Sequence, residues 1–170
     1  MPKNLQDRII ISDTSCLIAF TNAKKIDILR MTFDNIEVTP EVKREYEKKG
    51  NILPDWLTVK EPKNKEWVNE LKNDYGAGES EAIVLAKEED NALLILDDLS
   101  ARNYAINIGI KIMGTIGVVD EARIKNLLNI NEAIDILTIM KENKFRVTEK
   151  FFDDFVKYMK EDNEKRTRKN

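Results

Sequence analysis

The sequence predicts an α/β protein built around a mainly parallel β-sheet. Short apolar runs rich in β-branched residues alternate with longer capped or amphipathic segments along the 170 residues. A helix between successive strands is typical of parallel sheets with right-handed crossovers. Because no repeat, linker or low-complexity tract interrupts the pattern, we expect one domain over residues 1–162, with a flexible basic tail over 163–170.

Five short segments predict the strands. The β-branched run 9–11 predicts a buried strand, and residues 93–96 have the strongest strand pattern after it. The remaining strands, in chain order, are predicted at residues 36–38, 56–59 and 111–113.

Capping residues and periodicity predict the helices. Residues 12–15 can cap a helix that holds Leu17, and Thr39-Pro40 provides an N-cap followed by proline at the first helical position. The glycines of residues 76–78 form a turn before a helix over 79–87. Further helices are predicted at residues 26–31 and 67–71, after Asp97-Asp98 through Ala101 and Ala105, after Gly114, and twice near the C-terminal end.

The last helix has an apolar stripe. Phe151, Phe155 and Met159 recur at every fourth position, with Phe152 and Val156 beside them. This pattern predicts a helix that covers the sheet, and the alternative interpretation is a helix that binds a partner.

The composition excludes several classes of site. The chain has no histidine, which excludes Ser-His-Asp and Cys-His catalysis and histidine-ligated zinc. Its one cysteine, Cys16, excludes a disulfide framework and fits a reducing cytosol. We find no signal-peptide pattern and no apolar run near 18 residues, so we expect a cytoplasmic protein without a membrane span.

Acidic residues follow the two best strands. Asp13 comes after the first, and Asp97-Asp98 comes after the strand predicted at 93–96. Ligands of parallel α/β sheets bind outside the carboxyl ends of strands, so we expect these acids to meet at one edge. Glu45 and Glu81 belong to helices predicted to start near that edge. Each acid also has a purely structural interpretation, as a helix cap, a turn residue or part of a solvated face.

Four gathered carboxylates require compensation. Within about 6 Å, each ionised pair costs roughly 3 kcal/mol at an effective dielectric of 20. Hard divalent cations such as Mg²⁺ or Mn²⁺ suit such oxygen ligands and activate water for phosphodiester hydrolysis. The net charge of −3 argues against a nucleic-acid ligand, but bound cations would offset part of it.

The order of these motifs resembles the PIN-domain family, in the branch related to VapC-type toxin ribonucleases. The resemblance spans residues 9 to 119, and the C-terminal helices also fit that branch. The stretches that carry it are residues 11–18, 39–45, 78–83, 96–102 and 114–117.

The resemblance implies a three-layer α/β/α sandwich and an Mg²⁺- or Mn²⁺-dependent ribonuclease. It assigns the first acid to Asp13, the second to Glu45, the third to Glu81, and the fourth to Asp98 or Asp97. The third acid is more often Asp in the family, so Glu81 adds one methylene of reach. Residues implied to support the metal ligands are Thr14, Ser15, Glu79 and Thr115.

The resulting hypothesis is in-line attack by metal-activated water on RNA, with Asp13 and Asp98 as principal metal ligands. Toxin action implies a small antitoxin partner, and family members often form homodimers. The main alternative is a catalytically inactive PIN scaffold that binds RNA or protein. A haloacid-type phosphatase would need an Asp at position 15, where Ser15 stands. A phospho-receiver domain would carry its acidic pair after the first strand.

Overall fold

A computed structural model describes residues 7–169 and has the predicted α/β architecture. Residues 1–6 and Asn170, which the domain and tail predictions included, lie outside the described range. Within that range, five strands form one all-parallel sheet in the order β3-β2-β1-β4-β5. The strands are β1 (Ile9–Ser12), β2 (Ile36–Val38), β3 (Thr58–Val59), β4 (Ala92–Ile95) and β5 (Lys111–Met113).

Strand β1 lies at the centre of the sheet. It pairs with β2 through Ile10 and Ile36, and with β4 from Ile9–Ala92 to Ser12–Ile95. The chain runs outward from β1 to β2 and β3, then crosses to β4 and β5. The strand order therefore reverses between β1 and β4, and in open α/β sheets ligands bind in the crevice at such a point.

Helices cover both faces of the sheet. Ile10, Leu93 and Ile95 pack into one core, whereas Ile11, Leu94 and Leu96 pack into the other. This alternation confirms the predicted three layers. The first core takes residues from α1 (Thr14–Asn22), α2 (Asp27–Thr32), α3 (Pro40–Lys48), α7 (Thr115–Ile124) and α8 (Ile130–Glu142), and the second from α4 (Lys65–Leu71), α5 (Ala77–Glu88) and α6 (Leu99–Asn107).

Local capping explains where the helices begin. The Asp13 carboxylate accepts the Cys16 N–H at the start of α1, and the Thr39 hydroxyl accepts the Val42 N–H at the start of α3. Helix α5 begins at Ala77 rather than at Glu79, because the Glu79 carboxylate accepts the Gly76 N–H. The predicted glycine turn is thus partly the first turn of the helix.

The last helix is longer than predicted. Helix α9 (Glu149–Lys169) continues through the basic segment predicted as a flexible tail, with ion pairs such as Arg166–Asp162 along it. Its apolar stripe faces the first core as predicted, with Met159 buried there and Phe155 packed against it, whereas Phe151 stays 52% exposed. Its main helix neighbour is α8. The domain boundary at residue 162 remains a prediction. None of the described helices is long and apolar enough to cross a membrane.

Candidate active site at the sheet edge

Asp13 and Asp97 lie side by side at the switch point. Asp13 follows β1 directly, and its backbone N–H donates to the Ile95 carbonyl of β4 at 3.1 Å. The Ser15 hydroxyl lies 2.8 Å from Asp13 Oδ2 and 3.1 Å from Asp97 Oδ2. A single hydroxyl therefore bridges the two carboxylates across the crevice.

Helix α7 holds Asp97 in this orientation. The Thr115 backbone N–H donates to Asp97 Oδ1 at 2.9 Å, and its hydroxyl donates to Asp97 Oδ2 at 2.5 Å. A Cβ on the preceding Gly114 would lie 3.3 Å from Asp97 Oδ1 and 2.8 Å from Arg102 Nη1. The carboxylate therefore sits against a backbone position with little room for a side chain.

Asp98, unlike Asp97, points to a helix start rather than to Asp13. Its carboxylate accepts the Ala101 N–H at 2.9 Å and caps α6, and the residue is exposed. Of the two neighbouring acids left open by the sequence, Asp97 is therefore the one beside Asp13. Asp98 lies at the rim of the same edge.

Glu45 occupies a cradle between three helices. The Thr14 hydroxyl of α1 donates to Glu45 Oε2 at 2.5 Å, and the Gly78 N–H of α5 donates to Oε1 at 3.0 Å. A Cβ on Gly78 would lie only 2.6 Å from Glu45 Oε2. The absence of a side chain at Gly78 thus lets the Glu45 carboxylate reach the α5 backbone.

Glu79 and Glu81 are both engaged at helix starts. Glu81 is buried, and its Oε2 accepts the Glu41 N–H of α3 at 2.9 Å. Burial raises the pKa of Glu79, the Gly76 N–H lowers it, and the carboxylates of Asp98 and Glu45 raise it further. Glu81 therefore joins α5 to α3, whereas Glu79 faces the acidic edge.

Electrostatics single out Asp13 among these acids. Its side chain is 3% exposed, and burial together with the Asp97 charge raises its pKa from 3.8 to about 7. The Cys16 N–H and the Ser15 hydroxyl lower the pKa only in part. Burial and the charges of Asp13 and Asp97 also raise the pKa of the Cys16 thiol beneath them. The pair thus carries more negative charge than its surroundings compensate.

The donor set at this pair fits a hard divalent ion. Two carboxylates and a bridging hydroxyl are oxygen ligands of the type that Mg²⁺ and Mn²⁺ prefer. A cation would also remove the repulsion that raises the Asp13 pKa. Across residues 7–169, however, no group of three or more Asp, Glu or Cys side chains is arranged to hold a metal ion.

The acidic edge opens onto a cleft of about 550 Å³. A smaller cavity of about 250 Å³ shares Ser15 and Glu79 with it and reaches Asp13, Thr14 and Glu45. The charged residues that line the larger cleft are the acids Glu79, Asp97 and Asp98 and the cations Lys49, Lys144 and Arg146. None of these three cations was predicted from the sequence, and they come from two segments that lie far apart along the chain.

The predicted residues thus divide into groups rather than forming one cluster. The structure brings Asp13, Asp97, Ser15 and Thr115 together, and it places Glu45 with Thr14 at the adjoining cavity. Asp98 caps a helix, and Glu81 binds the backbone of α3. The tight four-carboxylate cluster expected from the sequence is therefore looser than predicted.

Comparison with known proteins identifies a family for most of the chain. A family model described as a PIN domain (DUF3368) matches residues 9–161. No curated protein and no solved structure matched the chain significantly.

Proposed function

Because the chain belongs to the PIN-domain family, whose members are generally nucleases that use divalent metals, we propose that it is an Mg²⁺- or Mn²⁺-dependent ribonuclease. The observation that carries this proposal is the pair of buried Asp13 and half-buried Asp97, bridged by Ser15, at the switch point of the sheet. Its uncompensated charge and its opening onto a cleft are typical of a catalytic edge.

We assign the metal ligands to Asp13 and Asp97, with Asp97 rather than Asp98 as the fourth acid. Ser15 and Thr115 orient these carboxylates through the hydrogen bonds described above. A bound divalent ion would supply Lewis acidity and lower the pKa of water for attack on the phosphodiester.

Glu45 completes the proposed site from the adjoining cavity. Its carboxylate lines the same 250 Å³ cavity as Asp13, and Thr14 and Gly78 fix its orientation. From there Glu45 would orient water and accept a proton. Glu81 would act by holding α5 against α3, and Glu79 by adding negative charge at the edge.

The central test measures RNA cleavage with Mg²⁺ or Mn²⁺. We expect Asp13→Asn and Asp97→Asn to lose at least about 100-fold in rate, and Thr115→Val about 10–100-fold, the range seen when partners of ligands are removed. Asp98→Asn is the matched control, because Asn also caps helices. Wild-type activity in Asp13→Asn, or an Asp98→Asn loss as large as that of Asp97→Asn, would contradict the assignment.

A second candidate function is an inactive PIN scaffold that binds RNA or protein. Its support is that the Glu45 and Glu81 carboxylates already accept backbone N–H groups. In addition, no three acids within the described chain are arranged to hold a metal ion. Calorimetric titration with Mn²⁺ separates the two functions. A nuclease should bind Mn²⁺ in the wild type and lose binding in Asp13→Asn, whereas a degenerate scaffold should show no acid-dependent binding.

The toxin role is a finer proposal that rests on the VapC-like motif order. We propose that the protein acts in the cytoplasm, where a free Cys16 stays reduced, with a small antitoxin as partner and a homodimer as its assembly. Co-purification with the product of an adjacent short gene would test the partner. A mass measured by light scattering would test the dimer.

A further inference from the structure

A further cavity lies at the edge of the sheet opposite the acidic one. Arg8 comes directly before β1, Asn91 directly before β4, and Gly109-Ile110 directly before β5, so the cavity that these residues line sits at the starting ends of the strands. Its volume is about 210 Å³. Asp13 follows Arg8 at the other end of β1, roughly 17 Å away in an extended strand. The cavity therefore belongs to a different part of the surface from the candidate active site.

The charged lining of this basic cavity is mostly positive. Its cations are Arg8, Lys87 and Lys111, and its single acid is Glu89. The Glu89 carboxylate already has a partner, because the Lys60 ammonium donates to it. The basic cavity thus differs from the cleft at the acidic edge, which acids and cations line in equal number.

The three cations have no carboxylate partner in the part of the chain that the structure describes. Across residues 7–169, none of them has a side-chain nitrogen within 4.0 Å of a carboxylate oxygen. Residues 1–6, which precede them in the sequence, contain no Asp or Glu. The cavity therefore concentrates positive charge in a chain whose net charge is −3.

Arg8 also lacks a hydrogen-bond acceptor. Within the described chain, its Nη1 atom is buried and has no hydrogen-bond partner. Native proteins leave few buried polar atoms unsatisfied, and a water or an ion that binds there is one explanation for those that occur. The Arg8 guanidinium lines the cavity, so a small rotation would bring Nη1 to an oxygen bound inside it. A ligand with negatively charged oxygens would supply both the missing acceptor and the missing counter-charge.

Lys87 is held at the wall of the basic cavity. Its ammonium donates to the Ile108 carbonyl at 2.7 Å, which uses one of its three N–H donors and leaves two for a ligand. Helix dipoles favour a lysine at the end of a helix in any case, and Lys87 lies in the last turn of α5. The case for a ligand therefore depends on the combination of Lys87 with Arg8 and Lys111.

We propose that the basic cavity binds a phosphate group, held by the Arg8 guanidinium and the ammonium groups of Lys87 and Lys111. A guanidinium can donate two parallel hydrogen bonds to phosphate, and ammonium groups add point charges around it. A water molecule takes up about 30 Å³ in the liquid, so a cavity of about 210 Å³ has room for a tetrahedral anion and several waters. This site does not depend on the proposed nuclease activity, because it lies at the other edge of the sheet and needs no metal.

The phosphate group can come from two sources. One is a free anion, such as inorganic phosphate or a nucleoside monophosphate, and the other is the 5′-phosphate at the end of an RNA. Both carry about −1.5 to −2 charges near pH 7, whereas a phosphodiester inside an RNA carries one. Three cations with a single acid among them favour the terminal phosphate that both sources share.

The first experiment titrates the full chain with inorganic phosphate by calorimetry, in EDTA and at constant ionic strength. We expect a Kd of about 1 mM or tighter, and a loss of about 10-fold or more in affinity in Arg8→Gln/Lys111→Gln. The matched control is Lys24→Gln/Lys25→Gln, which removes the same charge from two exposed residues outside the cavity and should bind like the wild type. No measurable binding to the wild type, or equal losses in the two variants, would overturn the inference.

Thermal unfolding shows whether loss of binding reflects loss of the fold. At ten times its Kd, phosphate should raise the Tm of the wild type and of the control by about 3–5 °C, because it binds the folded state. Arg8→Gln/Lys111→Gln should unfold cooperatively and gain less than about 1 °C. Lys111→Gln alone changes an exposed residue and should lower affinity about threefold. A double variant that keeps the full gain in Tm would place the phosphate elsewhere in the chain.

Two further titrations identify the source of the phosphate. Equal affinities for inorganic phosphate and AMP would assign the cavity to a free anion. A short RNA with a 5′-phosphate that binds about 10-fold more tightly than both, and than the same RNA with a 5′-hydroxyl, would assign it to an RNA end. In either case the gain must disappear in Arg8→Gln/Lys111→Gln, and a gain that persists there would contradict the site.

Asp13→Asn separates this inference from the nuclease proposal. In EDTA the acidic edge repels anions, so this variant should bind phosphate like the wild type. An affinity that falls as much in Asp13→Asn as in Arg8→Gln/Lys111→Gln would overturn the separate site. Phosphate binding without metal-dependent RNA cleavage would support the basic cavity and contradict the nuclease, whereas cleavage without phosphate binding would do the reverse.

Discussion

Two charged clusters in this protein, each built around one buried charged residue, are arranged on opposite principles. Arg123 of α7 is 3% exposed and contacts Asp120 at 2.8 Å and Asp162 of α9 at 2.7 Å. Asp13 is buried to the same extent, but its neighbour is another acid, Asp97. Arg166 also pairs with Asp162, so the first, balanced cluster has two cations for its two acids, whereas the second, open cluster places two acids side by side.

The shifts in the pKa values of Arg123 and Asp13 reflect this difference. Burial lowers the pKa of Arg123, but the carboxylates of Asp162 and Asp120 outweigh it and raise that pKa overall. The hydrogen bond from Arg123 in turn lowers the pKa of Asp162. At Asp13, burial and Asp97 both raise the pKa. The ion pairs of Arg123 thus stabilise its charged form, whereas the repulsion between Asp13 and Asp97 is of the kind that a bound cation would relieve.

The largest expected effect is on the balanced cluster. Arg123→Met leaves two carboxylates without their buried partner and detaches α9 from α7, so we expect a loss of about 3 kcal/mol in the free energy of unfolding. Urea denaturation measures it. Arg166→Met is the matched control, because Arg166 also pairs with Asp162 but is half exposed, and it should change little. Equal losses of stability in the two variants would show that the burial of Arg123 does not set its contribution apart from that of an exposed ion pair.

The next effect is on the open cluster and has the opposite sign. Because folding raises the Asp13 pKa from 3.8 to about 7, the folded state binds more protons, and its stability falls as pH rises through this window. Asp13→Asn keeps an N-cap and removes the charge. We therefore expect a gain of about 2–3 kcal/mol at pH 8 in EDTA, and a much smaller one at pH 4.

Urea denaturation at the two pH values, with Asp98→Asn as the control, tests this reversal. The control retains its helix cap and should keep the pH dependence of the wild type. A wild type and an Asp13→Asn variant with parallel stability curves between pH 4 and 8 would show that Asp13 is compensated.

Metal should act on only one of the clusters. At ten times its dissociation constant, Mn²⁺ should stabilise the wild type by about 1.4 kcal/mol, because it binds the folded state. Arg123→Met, although less stable, should show the same gain, and Asp13→Asn should show none. Thermal unfolding with and without Mn²⁺ measures it. A gain in Asp13→Asn equal to that of the wild type would place the ion elsewhere.

The smallest stability effect is expected at Gly78. The added Cβ of Gly78→Ala would clash with the Glu45 carboxylate, so that carboxylate must move from its present position while helix α5 gains propensity. We expect stability to stay within about 0.5 kcal/mol, because these terms oppose each other. RNA cleavage should nevertheless fall if Glu45 acts as proposed, and unchanged cleavage would remove Glu45 from the site.

A second substitution in α5 serves as the control for Gly78→Ala. Ile83 is fully buried in the same helix, and Ile83→Val alters the packing of that helix without touching Glu45. It should cost about 1 kcal/mol in stability and leave cleavage unchanged. Cleavage that falls equally in both variants would mean that the helix as a whole, rather than Glu45, is responsible.

The parts of the fold that depend on residues close together in the sequence were predictable from it. Asp13 and Thr39 cap helices where predicted, because a cap needs only an N–H two or three residues ahead. The strands were predictable because their apolar runs are short and bounded by turns. Helix α9 was predicted less well, since its polar final turns hold i,i+4 ion pairs that composition alone suggests are solvated and flexible.

The candidate site was predictable only in outline. Strand ends pointed to Asp13 and the Asp97-Asp98 pair, but the orientation of Asp97 depends on Thr115, which is distant in sequence. Glu81 was expected beside the metal, yet it accepts an N–H from α3. No local pattern indicated the cations of the cleft, because the connection after α8 has no glycine to mark its left-handed turn at Lys144.

The sequence by itself determined the alternation of strands and helices, the caps, the absence of histidine chemistry and the acids at the ends of the two central strands. These follow from local propensity and from composition. Only the tertiary structure decided that Asp97 rather than Asp98 meets Asp13 and that Arg123 contacts opposite charges whereas Asp13 faces another acid. It also decided that cations from two segments far apart in sequence share a cleft with the acids. The physical reason is that charge balance and desolvation depend on neighbours in space, which the order of residues does not state.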